Sequence, residues 1–98
     1  KSLHLAAVFV NNFVNHFYAL GAEVLHDQKL DFDILKPLIR ETAAKIESMH
    51  PHEAQTGPAK RNDQNIISAQ LKMLNDKPDL QKIYSFVTES IFQYHQKQ

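Results

Sequence analysis

The chain holds 98 residues, enough for one hydrophobic core and too few for two. Its 11 basic residues balance 11 acidic ones, which weighs against nucleic acid or a polybasic membrane contact as partner. With no cysteine and only two glycines, disulfides, thiolate chemistry, Cys-ligated zinc and glycine-rich phosphate loops are excluded within these residues. The first residue is Lys1, as expected of a segment cut from a longer protein. No basic n-region precedes a small-residue cleavage site, and together with the absence of cysteine this fits a cytoplasmic protein.

The periodicity is helical throughout, and four main helices are predicted. The first should cover residues 2–26. At ~100° per residue, Leu3, Phe9, Val10, Phe13, Phe17 and Val24 fall on one half of the wheel, and His4, Asn11, Asn12, Asn15 and His16 on the other. In that wheel, positions 4, 11 and 15 share one stripe, and 12 and 16 another. A solvated face normally carries Lys, Glu and Arg, whereas this one carries amides and imidazoles, and Asn is a poor helix former. Five such groups interrupt the uncharged run 3–22, so it reads as a buried helix and not as a membrane span.

The second helix should cover 33–49, with Asp33 as N-cap and Leu35, Leu38, Ile39, Ala43 and Ile46 inward. His50, Pro51 and His52 end it. The third should begin at Asn62 or Asp63 and reach Leu74, with Ile66, Ile67, Leu71 and Leu74 inward. The fourth should cover 79–96, with Leu80, Ile83, Tyr84, Val87, Ile91 and Tyr94 on its inner stripe. Phe86 and Phe92 lie off that stripe, and exposed aromatics on a second face suggest a partner surface. The expected fold class is all-α, a bundle of four main helices with a long first helix.

Two constellations could carry chemistry. In Gln55-Thr56-Gly57-Pro58-Ala59-Lys60-Arg61-Asn62-Asp63, a rigid turn leads into a helix start, where free N–H groups favour anions. Thr56 and Arg61 are its candidate binding residues. The competing explanation is structural: Asp63 caps the helix, Arg61 pairs with a carboxylate and Thr56 holds the turn. The second constellation is His4, Asn11, Asn12, Asn15 and His16. These could bind a substrate, with a histidine as general acid or base, or could form satisfied hydrogen bonds between helices. His50, His52 and Glu53 have only weak metal-ligand spacing, so no metal is expected. No GxSxG elbow is present.

Three strings, HLAAVFVNNFVNHFYAL, ILKPLIRETAAKI and QTGPAKRND, closely resemble the helical C-terminal domain of a family of bacterial Rossmann-like NADP-dependent oxidoreductases, a domain first catalogued as of unknown function. The family is similar to pyrroline-5-carboxylate reductase and to the 6-phosphogluconate and 3-hydroxyacid dehydrogenases. The resemblance runs from His4 to about Ile91 and implies a 6-phosphogluconate dehydrogenase C-terminal-like fold. It further implies one helical domain over 1–98, with the N-terminal Rossmann domain outside this chain and NADP held mainly there. The helical domain would supply a homodimer interface and one wall of the cleft for a small-molecule substrate. Asn11 and Asn12 look like the counterpart of the Asn pair that contacts substrate in related dehydrogenases. Val8 stands where their lysine falls, which leaves His4 as the acid–base candidate. Thr56, Gly57, Pro58, Ala59, Arg61 and Asp63 match the family's TGPA-x-R-x-D pattern, while Gln70 stands where members commonly carry histidine.

The expected function is therefore the dimerisation and substrate-cleft domain of an NADP-dependent oxidoreductase, inactive by itself. Asn11, Asn12 and Asn15 would orient the substrate and Arg61 would pair with an anionic group. The alternative is a non-enzymatic all-α interaction module in which the amide face fixes register.

Overall fold

A computed structural model describes residues 1–96, and all of its regular elements are helices. The chain is all-α, as the periodicity predicts. It divides into two compact units, Lys1–Ala43 and Ala44–Gln98.

The first unit is dominated by one unbroken helical run over residues 2–27. It comprises α1 (Ser2–Ala7), a π-helical segment (Val8–Phe13) and α2 (Val14–Asp27). In a π-helix each N–H bonds the carbonyl five residues back, so the segment holds one residue more than an α-helix would. The backbone passes through smoothly, with helical angles at both joins: Ala7 at φ −65°, ψ −34° and Val14 at φ −60°, ψ −44°. The run ends in a two-bond cap. Leu30 N–H donates to Leu25 O at 2.9 Å and Lys29 N–H to His26 O at 2.9 Å, with Lys29 left-handed at φ 59°. This is the geometry that glycine normally serves.

A short 3-10 turn, Phe32–Leu35, then packs on α2. Its cap is Asp31, not the expected Asp33: the Asp33 N–H donates to Asp31 Oδ1 at 2.8 Å. Asp33 instead pairs with Lys36 at 2.7 Å. The chain enters the 3-10 turn from extended backbone at Asp31, so the cap falls two residues earlier than the apolar pattern suggests. Helix α3 follows over Lys36–Ser48. Leu20, Val24, Leu25, Phe32, Leu35 and Ile39 are half-buried, and no residue of this unit is buried outright.

In the second unit, the segment expected only to end a helix forms a turn of its own, α4 (Pro51–Ala54). His50 caps it, its Nδ1 accepting from His52 N–H at 3.1 Å. The stretch expected as a loop also holds a single helical turn, α5 (Pro58–Arg61), followed by α6 (Gln64–Met73) and α7 (Pro78–Gln96). Helix α5 packs on both α6 and α7. Ala59 on α5 and Ile67 on α6 are each 7% exposed, and they are the buried centre of this unit among the described residues. Two polar ties hold α7 to α6. Tyr84 O–H donates to Gln70 Oε1 at 2.6 Å, and Gln81 Nε2 donates to Leu71 O at 2.8 Å. Burial pushes the Tyr84 phenol above its usual range, in keeping with a hydroxyl that donates.

Candidate functional site

The polar face of the first helical run must be redrawn because of the π segment. On an α-helix, positions seven apart lie nearly on one line. One extra residue makes positions eight apart take that relation across residues 8–13. His4 therefore lines up with Asn12 and not with Asn11, and Val8 lines up with His16. Asn11 falls in line with Leu3, and Asn15 with Ala7. The apolar side gains continuity, since Leu5 lines up with Phe13, Ala6 with Val14, Phe9 with Phe17 and Val10 with Tyr18. The Phe9 and Phe13 rings meet edge to face at 5.1 Å.

His4, Asn11, Asn12 and Asn15 are all exposed in this chain, and their side chains make no hydrogen bond to another described residue. The expected buried helix is thus not formed within the chain, and neither is the alternative of amides satisfied between its helices. The apolar side is equally bare: Leu3 is 84% exposed, Val10 73% and Phe9 57%. Burial of such side chains is worth about 1.5–3 kcal/mol each, which is why a stable helix does not leave a row of them in water. Nothing in residues 1–43 supplies the cover.

Thr56 and Arg61 lie in the second unit. Backbone geometry accounts for most of the stretch around them. Gly57 sits at φ 105°, a conformation that a side chain resists, and Pro58 opens α5. Asn62 closes α5 in the left-handed region at φ 53°, while Asp63 N–H donates to Pro58 O at 2.9 Å. Asp63 then caps α6, its Oδ1 accepting from Ile66 N–H at 3.2 Å. A carboxylate already occupies the helix start at which an anion was expected. Lys60 and Arg61 instead occupy the last turn of α5, where cations are favourable. Arg61 reaches Asp63 at 3.8 Å with more than half of its side chain exposed, a weak pair that leaves the guanidinium available. Thr56 is exposed as well.

The second unit holds an open cleft of about 380 Å³ that the apolar pattern did not foretell. Ala59, Ile67, Leu71 and Phe92 form its floor, and Asn62 and Glu89 stand at its rim. Phe92, expected to be exposed, is half-buried there because α5 packs against α7. Phe86 is bare as expected, at 79% exposure. Tyr94, expected inward, is exposed and stands 5.3 Å from the His52 ring. His52 stacks on His95 at 4.2 Å. Partial desolvation, then the neighbouring His52 and Lys60, lower the His95 imidazole from its usual 6.5. Among the described residues no three His, Asp or Glu side chains gather as a metal site would require, and no helix is long and apolar enough to cross a membrane.

Gly21 lies inside α2 and Gly57 opens a single turn, so neither belongs to a strand–loop–helix phosphate site.

Comparison with known proteins follows the same lines. The chain superposes on the crystal structure of a "putative NADP oxidoreductase" from Bacteroides fragilis with a TM-score of 0.93 and 53% sequence identity. The match covers 95% of this chain and 36% of that protein, so the chain spans about a third of its relative. No curated protein matches. Residues 1–91 match the family described as a domain of unknown function, DUF2520, and the chain belongs to that family.

Proposed function

We propose that this chain is the C-terminal dimerisation and substrate-cleft domain of an NADP-dependent oxidoreductase. The observation that carries the proposal is the first helical run, which shows bare amides on one side and bare phenylalanines on the other. Such a helix fits between a partner subunit and a polar cleft. The 53% identity to the Bacteroides fragilis protein, of which the match covers only 36%, supports a further domain in the parent. NADP would be held by that domain, where it would supply hydride transfer. The described residues hold no glycine-rich phosphate loop, and on this proposal the chain by itself is inactive.

On this proposal Asn11, Asn12 and Asn15 bind and orient a small-molecule substrate, and His4 is the acid–base candidate. Thr56 and Arg61 serve an anionic group of the substrate, the exposed guanidinium offering a two-pronged contact. The parent works in the cytoplasm as a homodimer, without nucleic acid or membrane partners. The relatives named from the sequence, pyrroline-5-carboxylate reductase and 6-phosphogluconate dehydrogenase, extend the proposal to reactions on small acids or amino acids.

The test is an NADPH titration of the parent protein followed by cofactor fluorescence. Saturable binding is expected, and its absence refutes the proposal. A second reading is a non-enzymatic interaction module, favoured by the bare Phe86 and by the apolar side of the first helix. Asn12→Ala and Arg61→Ala separate the two. Lost turnover in an intact dimer supports the enzyme, and unchanged turnover supports the module.

A further inference from the structure

The cleft of the second unit is built from two helix faces and a wedge. On α7, Ser85, Thr88, Glu89 and Phe92 follow the i, i+3, i+4, i+7 spacing that puts them on one face. On α6, Gln64, Ile67 and Leu71 share a face in the same way. Helix α5 packs on both, and Ala59 closes the floor with a side chain too small to fill the space. Ala59 and Ile67 are buried, and Leu71 and Phe92 are half-buried. The volume of about 380 Å³ falls within the range of small-molecule pockets. The charge of the cleft is one-sided. Among the described residues that line it, Glu89 is the one ionisable group. Lys60 and Arg61 share the α5 turn with Ala59 but do not line the cleft: Lys60 lies near His95, and Arg61 reaches Asp63 at 3.8 Å. Gln93 Nε2 donates to Glu89 Oε1 at 2.8 Å, and Oε2 has no hydrogen bond or ion pair among the described residues.

We infer that this cleft binds a small organic ammonium ion, its apolar body resting on Ala59, Ile67, Leu71 and Phe92 and its N–H groups donating to Glu89. An ammonium group carries donors only and a carboxylate acceptors only, so the two match without a further partner. The hydroxyls of Ser85 and Thr88 and the amide oxygen of Asn62 stand beside Glu89 in the lining as further acceptors. An anionic ligand would meet like charge at Glu89 and find no cationic side chain among the lining residues. A neutral ligand of the same shape would gain the apolar contact alone. The Phe92 ring adds to the preference for a cation. The cleft shares no residue with Asn11, Asn12, Asn15, Thr56 and Arg61, and the inference stands apart from the oxidoreductase proposal.

The probe is 2-phenylethylammonium, set against 2-phenylethanol and phenylacetate, which keep the ring and change the charged end. The parent protein is labelled with carbon-13 at its isoleucine and leucine methyls, and the Ile67 and Leu71 signals are followed by NMR during each titration. In the wild type the ammonium should shift both signals saturably. The alcohol should bind about three- to fivefold more weakly, the scale of a solvent-exposed ion pair, and phenylacetate more weakly still. Glu89→Gln should bring the ammonium down to the affinity of the alcohol, and Glu89→Lys should make phenylacetate the best of the three. Glu89 is exposed, so both variants should keep the wild-type methyl spectrum away from the cleft. Equal affinity of the wild type for the ammonium and the alcohol overturns the inference, whatever the variants do. So does a preference for the ammonium that survives Glu89→Gln, or an absence of shifts at Ile67 and Leu71 with millimolar probe. The oxidoreductase proposal is decided separately, by the NADPH titration.

Discussion

Lys29 holds a backbone conformation that its side chain resists. Its φ of 59° closes α2 through the Leu30–Leu25 and Lys29–His26 hydrogen bonds. The left-handed region costs a non-glycine residue about 1–2 kcal/mol, part of which glycine returns through its larger unfolded-state entropy. Lys29→Gly should therefore stabilise the fold by about 0.5–1 kcal/mol, read as a rise in Tm of the parent protein. His95 gives a second prediction at this scale. Its folded-state affinity for a proton is lowered, so the unfolded chain binds that proton more readily. The resulting stability is fully present above the unfolded value near 6.5 and is lost as pH falls through the lower folded value. His95→Gln should flatten the acid-side fall of Tm seen in the wild type, and an unchanged slope between pH 7 and pH 5 would refute this.

The residues of the Thr56–Asp63 stretch were partly legible in advance. Asp63 as a cap and Arg61 paired with a carboxylate follow from side-chain chemistry that acts over two or three residues. The single turn α5 was not legible. Four residues are too few to show a period, and the turn is held by Ala59 packing in the interior of its unit and by a left-handed Asn62. Phe92 was misplaced for the same reason, since its cover comes from α5.

At the scale of elements, the π segment is the feature that pattern arguments missed. A wheel drawn at one fixed angle tolerates an extra residue, because the apolar half of the first helix is broad enough to absorb the shift. The apolar half survives and the fine alignment of its polar positions does not. Deletion analysis offers a direct check. Removing Val10 should convert the segment to α-helix and leave both flanks in their present register, because it takes away the extra residue. Removing Ala19 from α2 should turn the flanks against each other by about 100°. The first deletion is expected to keep the oligomer and most of the helical circular dichroism, and the second to lose the oligomer. Equal damage from both would show that residues 8–13 do not carry an insertion. The boundaries of the long helices were readable to within one or two residues, because their caps and apolar stripes are local and repeated, except that α3 begins three residues past the expected 33, where a 3-10 turn stands instead.

At the scale of the molecule, the two units differ in what they contain. The second has a buried centre at Ala59 and Ile67, and the first has none. An isolated helix gains little from propensity, and Asn11, Asn12 and Asn15 lower that further. The first unit should therefore owe its order to association. The thermal midpoint of the parent protein should climb with protein concentration, as mass action requires when folded chains bind each other. Sedimentation should show a dimer at micromolar concentration, and a stable monomer with a concentration-independent midpoint would contradict the dimer proposal. The phenylalanines and the uncharged polar face carried the expectation of a partner in the sequence. Which side chains would meet one was not legible, because helix periodicity describes one chain at a time.

The bare row from Leu3 to Phe17 also bears on biosynthesis. A ribosome that releases this polypeptide delivers a sticky helix before any mate has arrived. Nascent chains then face a race between finding one another and clumping, and holdase chaperones can slow the second outcome. Overproduction of these 98 residues should favour inclusion bodies, and a lower growth temperature should return them to the supernatant.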